Sequence, residues 1–156
     1  MLATENPTPQ NEIVNRLDSA VSEVFEMMLA RSCNPMDEEV SIIDGRIVAR
    51  IQFTGAINGE CILYASSATA AVTAEALLGT ASSEPCDPMV DDAIGELCNM
   101  IAGGWKSKLE HPQAGCLISV PAVSREGLVG LEGKFGTKFS RTYSFQGNLF
   151  GIMLAF

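Results

Sequence analysis

The longest regular pattern of apolar and polar positions in the chain runs from Pro88 to Glu110, PMVDDAIGELCNMIAGGWKSKLE. At about 100° per residue, the helical period, Ile94, Leu97, Cys98, Ile101, Trp105 and Leu109 gather on one side. Asp92, Glu96, Asn99 and Gly103 gather on the other. The pattern predicts a helix whose apolar face enters a core and whose polar face presents a carboxylate and a carboxamide three residues apart, which are neighbours on a helix surface. Gly103, one turn beyond Asn99, leaves room for another surface to come close.

A second helical pattern precedes it. Ile13, Val14, Leu17, Ala20, Val21, Val24 and Met28 share one face, so residues 11 to about 32 predict an amphipathic helix that Pro35 stops from continuing. Its opposite face carries Asn15, Ser19, Ser22 and Glu26. Between the two helices the period changes from helical to alternating. Val40 to Ile43 predicts a short strand. In Arg46 to Thr54, Ile47, Ala49, Ile51 and Phe53 alternate with Val48, Arg50 and Gln52, and Gly55, Asn58 and Gly59 turn the chain into a second strand, Glu60 to Ala65. Ser66 and Ser67 offer an N-cap for an alanine-rich helix from about Ala68 to Leu78, closed by Gly79. Residues 80–87 predict a loop.

Beyond the central helix, His111-Pro112 and Gly115 break the pattern, Cys116 to Val120 predicts a strand ending at Pro121, and Ser124 to Gly133 has no period. Lys134 to Gln146 and Asn148 to Ala155 predict two strands joined by a tight turn at Gln146-Gly147-Asn148. The order predicts an α+β domain, an antiparallel sheet with helices packed on one face. The two amphipathic helices also hint at duplication. Ser22, Glu26 and Leu29 have the spacing of Asp92, Glu96 and Asn99, without the amide.

At 156 residues, with 47% hydrophobic and 19% charged residues, the chain fits a single globular domain over residues 11–156 behind a mobile tail, residues 1–10. No apolar run approaches the roughly 20 residues of a spanning helix. The N-terminus lacks the basic start and apolar stretch of a signal peptide, so the expected location is cytoplasmic. A net charge of −9 with scattered Lys and Arg argues against nucleic acid and favours a partner with a locally basic surface.

The five cysteines, Cys33, Cys61, Cys86, Cys98 and Cys116, show no CxxC spacing and are expected to be reduced and packed as small hydrophobes. The single histidine, His111, has no ligand cluster around it, so no metal site is expected. A cysteine nucleophile would have only that histidine as its base.

Asp92, Glu96 and Asn99 on a predicted helix, with Pro121 on the following strand, resemble the signature of the CheC/CheX family of chemotaxis phosphatases: Asp or Ser, three residues, Glu, two residues, Asn, and a Pro some twenty-odd residues on. The wording GELCNMIAGGWKSKLE is similar to the family's Gly-Glu-x-x-Asn-x-x-Ala-Gly followed by Lys. Gly104-Trp105 departs from the small polar pair often found before that Lys, and Trp105 falls on the buried face. One branch of the family carries two intact Glu/Asn sites. Leu29 stands where the first helix would need its Asn, so the chain resembles the CheX-like branch with one site.

The resemblance implies a pseudo-duplicated α+β fold, a homodimer, and a phosphatase that hydrolyses the aspartyl-phosphate of a CheY-like receiver domain. Mg²⁺ would sit in the receiver, with no cofactor bound by this chain. A carboxamide both donates and accepts hydrogen bonds, which suits Asn99 to hold a water in line with phosphorus, as a glutamine does in GTPases. The resemblance implies that Glu96 pairs with a conserved lysine of the receiver, setting orientation more than affinity. Asp92 either touches the partner or favours the helix N-terminal half through the dipole. Gly103 either permits close docking or lets a strand pack tightly. The rival readings are a solvated helix face at Glu96 and Asn99, and a non-catalytic receiver-binding adaptor with the same fold.

Overall fold

The computed structural model describes residues 9–37, 47–79, 88–108, 115–125 and 135–156. Helix α1, Pro9–Val24, opens with a proline at a position where its missing N–H costs nothing, two residues earlier than the alternation of apolar positions predicts. It runs directly into one π-helical turn, Phe25–Leu29, ended by Ala30 in the left-handed conformation. The helix therefore ends well before Pro35. That proline lies inside a three-residue strand, β1, Asn34–Met36, on the sheet edge, where a residue without an N–H is tolerated.

Strands β2, Ile47–Thr54, and β3, Gly59–Ala65, form the expected hairpin, in register from Ile47 opposite Ala65 to Phe53 opposite Gly59. Helix α2, Ser67–Leu78, starts where the Ser66 hydroxyl accepts the Thr69 N–H at 3.1 Å and ends at Gly79 with φ +70°. Helix α3, Pro88–Ser107, follows. Strand β4 is only Leu117–Ile118, and Ala122–Ser124 form a further strand, β5, for which the pattern of apolar positions gives no sign. Strands β6, Lys138–Phe145, and β7, Asn148–Ala155, meet through Gln146 and Gly147, both at positive φ, the conformation of a two-residue type I′ hairpin turn. The expected strand at Val40 to Ile43 and the loop at 80–87 lie outside the described residues.

The sheet is antiparallel throughout, in the order β1-β6-β7-β3-β2-β4, with β5 also on β2. Alternation assigns its two faces. Ile47, Ala49, Ile51 and Phe53 of β2, Cys61 and Leu63 of β3, and Ile152 and Leu154 of β7 share one buried core with Leu17, Val21 and Phe25 of the first helical stretch and Ile94, Leu97, Ile101 and Trp105 of α3. Val48, Ile62, Tyr64 and Met153, the intervening positions, form a separate buried cluster on the opposite face. The helices thus pack on one face of the sheet. The Phe25 ring stacks on Phe150, centroids 5.4 Å apart, and meets Phe145 at a tilt, centroids 5.0 Å apart.

Polar side chains fix α1 against the sheet. The Asp18 carboxylate accepts two hydrogen bonds from the Arg141 guanidinium, both 3.1 Å, and one from the Tyr143 hydroxyl, 2.6 Å. Burial, followed by the bond to Asp18, pushes the Tyr143 hydroxyl pKa far upward. Lys108 reaches Glu23 at 2.7 Å and ties α3 to α1. Among the described residues, no helix is long and apolar enough to cross a membrane.

Candidate functional site

Helix α3 seats itself by residues that lie between the two members of the candidate pair in sequence and beyond them. Leu97 and Cys98 are buried, and the Cys98 thiol lies 3.7 Å from the carbonyl oxygens of Ala49 and Cys61, over strands β2 and β3. Trp105 is buried between the rings of Phe53 and Phe156, centroids 5.3 and 5.5 Å away, so it is a core residue and not a surface for a partner. With those positions directed inward, Glu96 is exposed and Asn99 half-buried. Asp92 is exposed and Gly103 half-buried on the same side. At about 100° per residue, Asp92, Glu96, Asn99 and Gly103 occupy an arc of roughly 60°.

The glycines in this helix face protein. A methyl group placed on Gly95 would lie 3.1 Å from Val123 Cγ2 and 3.4 Å from Pro121 Cβ, tighter than ordinary packing. Gly95 therefore admits Pro121 and β5 against the helix one residue before Glu96. On Gly103 the same group would come only to 4.0 Å from Ile118, and on Gly104 to 3.5 Å from Ala20 of α1. At Gly103 a strand side chain is thus the nearest described neighbour. The first-turn acid of α3 is Asp91, paired with Arg125 beyond β5 at 2.6 Å, so α3 is pinned to the strand at this end by charge as well as by packing. Asp92, one residue on, remains at the surface.

The chain between β4 and β5 contains a device that the pattern of apolar positions does not display. Ile118 pairs with Phe53 and Ala122 with Arg50, so residues 119–121 face only Gln52 and Ile51. This is a β-bulge, with one extra residue on the outer strand. Ser119 closes it from both sides: its N–H donates to the Gln52 carbonyl at 2.9 Å, and its hydroxyl accepts the Gln52 N–H at 2.9 Å and donates to the Val120 carbonyl at 3.0 Å. Ser119, two residues before Pro121, is the one sequence signal that points to it.

Four of the five cysteines are described; all are free and buried. Burial pushes the Cys33 thiol up to about 12. The Cys61 thiol is also raised, by its contact with the Cys98 thiol and then by burial. Thiols held protonated are poor nucleophiles at neutral pH. Cys86 and His111 lie outside the described residues. Among the described residues, no three His, Cys, Asp or Glu side chains cluster so as to hold a metal ion.

Comparison with known proteins follows the same residues. A family profile described as "Chemotaxis phosphatase CheX" matches residues 47–139, more than half of the chain, including Asp92, Glu96, Asn99 and Pro121. The chain is 35% identical over 102 residues to the CheY-P phosphatase CheX of Thermotoga maritima, a match spanning 64% of this chain and 66%, just under two thirds, of that protein. Among solved structures, the chemotaxis protein CheX of Vibrio vulnificus superposes with a TM-score of 0.76 at 21% identity, covering 92% of this chain and 98% of that one. The CheX of a CheX-CheY-BeF3-Mg complex from Borrelia burgdorferi superposes with a TM-score of 0.75 at 20% identity, covering 92% of this chain and 96% of that one. At those identities the structures establish the fold, and the profile establishes the family: the chain belongs to the chemotaxis phosphatase CheX family.

Proposed function

We propose that this protein hydrolyses the aspartyl-phosphate of a CheY-like receiver domain, with Asn99 positioning the attacking water and Glu96 docking the receiver. The observation that carries this reading is the pairing of an exposed carboxylate with a half-buried amide on the outer face of α3, directly where Gly95 lets Pro121 brace the helix.

An acyl phosphate is already activated, so the helper protein has little bond-making to do. The Asn99 amide accepts a hydrogen bond from a water and aims its lone pair at phosphorus. Water oxygen bonds to phosphorus as the P–O bond to the aspartyl carboxylate breaks, and inorganic phosphate and a free carboxylate result. A Mg²⁺ bound by the receiver would supply the charge neutralisation of the phosphoryl oxygens, so this chain's residues need supply none. Glu96, exposed to water before docking, pairs with a receiver cation and sets the register of the two proteins. Half-burial of Asn99 limits its rotamers before the partner arrives, which lowers the entropy lost on docking. Asp92 lies at the edge of the same surface as a further partner contact.

A substoichiometric amount of the protein added to receivers phosphorylated with acetyl phosphate tests the reading. Accelerated decay with many turnovers is expected. An effect seen only in excess, or protection of the phosphoryl group, overturns the enzyme and leaves an adaptor. The family likeness also supports a homodimer in a cytoplasmic signalling pathway; sedimentation equilibrium giving one protomer mass at micromolar concentration overturns the dimer.

A further inference from the structure

Two apolar side chains lie at the borders of the Glu96–Asn99 face, and neither is used by the chemistry above. Val120, 84% exposed, is the most exposed large apolar side chain among the described residues. Singly exposed apolar residues are ordinary, but Val120 is held in a particular place. The strand passes α3 at Ile118, against Gly103, and again at Pro121, against Gly95. Gly95 and Gly103 are about 12 Å apart along a helix, and three extended residues span about 10 Å. Val120, one residue from Pro121 and two from Ile118, therefore lies between those glycines and nearer Gly95, level with the turn that runs from Glu96 to Asn99. It sits on the bulge that Ser119 closes with hydrogen bonds to Gln52 and to the Val120 carbonyl itself. Bulges re-aim side chains next to functional sites, and here the outcome is an apolar group turned out to water on a hydrogen-bonded support.

Met89 borders the other flank. It is 52% exposed on α3, about two turns before Glu96 and on the same side of the helix. The polar stripe of Asp92, Glu96 and Asn99 is thus bordered by apolar surface on both sides. That is the arrangement of an interface in which a polar centre is surrounded by contacts that exclude water.

We propose that Val120 and Met89 are receiver-selecting contacts: they seat on apolar surface of the phosphorylated receiver while Glu96 pairs with its cation. The proposal rests on the reading of α3 as the receiver-docking helix. Its occupant is the receiver and no other partner, because the border is continuous with the acidic stripe that a receiver cation matches. Apolar contacts of this kind are formed in the docked complex and change little as the phosphoryl group transfers, so they act on KM and leave kcat alone.

The test compares wild type, Val120→Asp, Val120→Leu and Met27→Asp. Met27 is a control on the π-helical turn, also highly exposed. Each is assayed for decay of acetyl-phosphate-labelled CheY-type receivers from the same genome, and for binding to the same receivers loaded with beryllofluoride and Mg²⁺. Val120→Asp is expected to raise KM and Kd about tenfold, with kcat at saturation and the melting temperature unchanged. Val120→Leu and Met27→Asp are expected to stay within about twofold of wild type.

A Val120→Asp protein within about twofold of wild type in KM and Kd overturns the proposal while leaving the phosphatase intact. So does a loss shared equally by Met27→Asp. If wild type binds the loaded receiver but does not speed decay, the enzyme reading fails and the Val120 contact is judged on Kd alone. If wild type does neither, both fall.

Discussion

The two amphipathic helices carry the same spacing of polar residues and put it to different uses. Ser22, Glu26 and Leu29 end the first, while Asp92, Glu96 and Asn99 sit mid-way in α3, and the helices pack side by side where Gly104 meets Ala20. α3 stays α-helical through its whole length, so the residue three beyond Glu96 returns to the rim of the exposed face. The first helix opens into a π turn at Phe25, and Leu29 joins Phe25 in the core while Glu26 stays outside. A spacing of three means adjacency only while the helical period holds, and in a π turn it does not. The first helix is instead an anchoring element, fastened to β6 by Asp18, Arg141 and Tyr143.

The sharpest way to break this contrast is at the amide. Asn99→Ala is expected to reduce accelerated phosphoaspartate decay by about a thousandfold, some 4 kcal/mol in the barrier, with the unfolding midpoint, followed through the single Trp105, nearly unchanged. Retained activity would move the water to another residue.

The reciprocal change asks whether the first helix holds a dormant site. Leu29→Asn is expected to destabilise the fold by about 3 kcal/mol in urea titrations, because it buries an amide among apolar groups, and to add no activity in an Asn99→Ala background. Recovered turnover there would show that Leu29 is not committed to the core.

Matched carboxylates give a smaller effect. Glu96→Ala is expected to raise KM about tenfold, roughly 1.4 kcal/mol, while Glu26→Ala leaves KM and kcat where they were. Equal effects at both would remove the distinction between the helices.

The anchoring role of the first helix shows in stability and its pH dependence. Tyr143→Phe is expected to cost about 1 kcal/mol, measured by urea unfolding, with activity kept. Cys33, Cys61 and Tyr143 all have folded pKa values above the ordinary 9.0 of a thiol or 10.0 of a phenol. Above those values the unfolded chain releases protons that the folded chain retains. Stability is therefore present in full well below pH 9 and declines as pH rises, by about 2 kcal/mol between pH 9 and 10 for the two thiols and the phenol together. Flat stability across that interval would mean that these groups are open to solvent.

Where pattern and structure part company, the reason is distance along the chain. The alternation of β2, the caps at Ser66 and Gly79, the two faces of α3 and the turn at Gln146-Gly147 are local, set by neighbours within a few residues, and all are legible. Asp18 meets Arg141 and Tyr143 from more than a hundred residues away, so no window of sequence displays the pair. The π turn opens at Phe25, which packs against Phe145 and Phe150 from more than a hundred residues away, so no local window displays that contact. β5 and its bulge exist because β2 offers an edge.

By itself, then, the sequence determined that α3 has a core face and a polar face, and that Glu96 and Asn99 share the polar one, since helical period alone decides both. The missing amide at Leu29 is legible too; only the tertiary structure decided that the first helix ends in a π turn that commits Leu29 to the core. Only it decided, too, that Gly95 admits Pro121 beneath the pair and that Val120 stands beside it. Those outcomes depend on which surfaces meet across the sheet, and close packing settles that only when all the elements are in place.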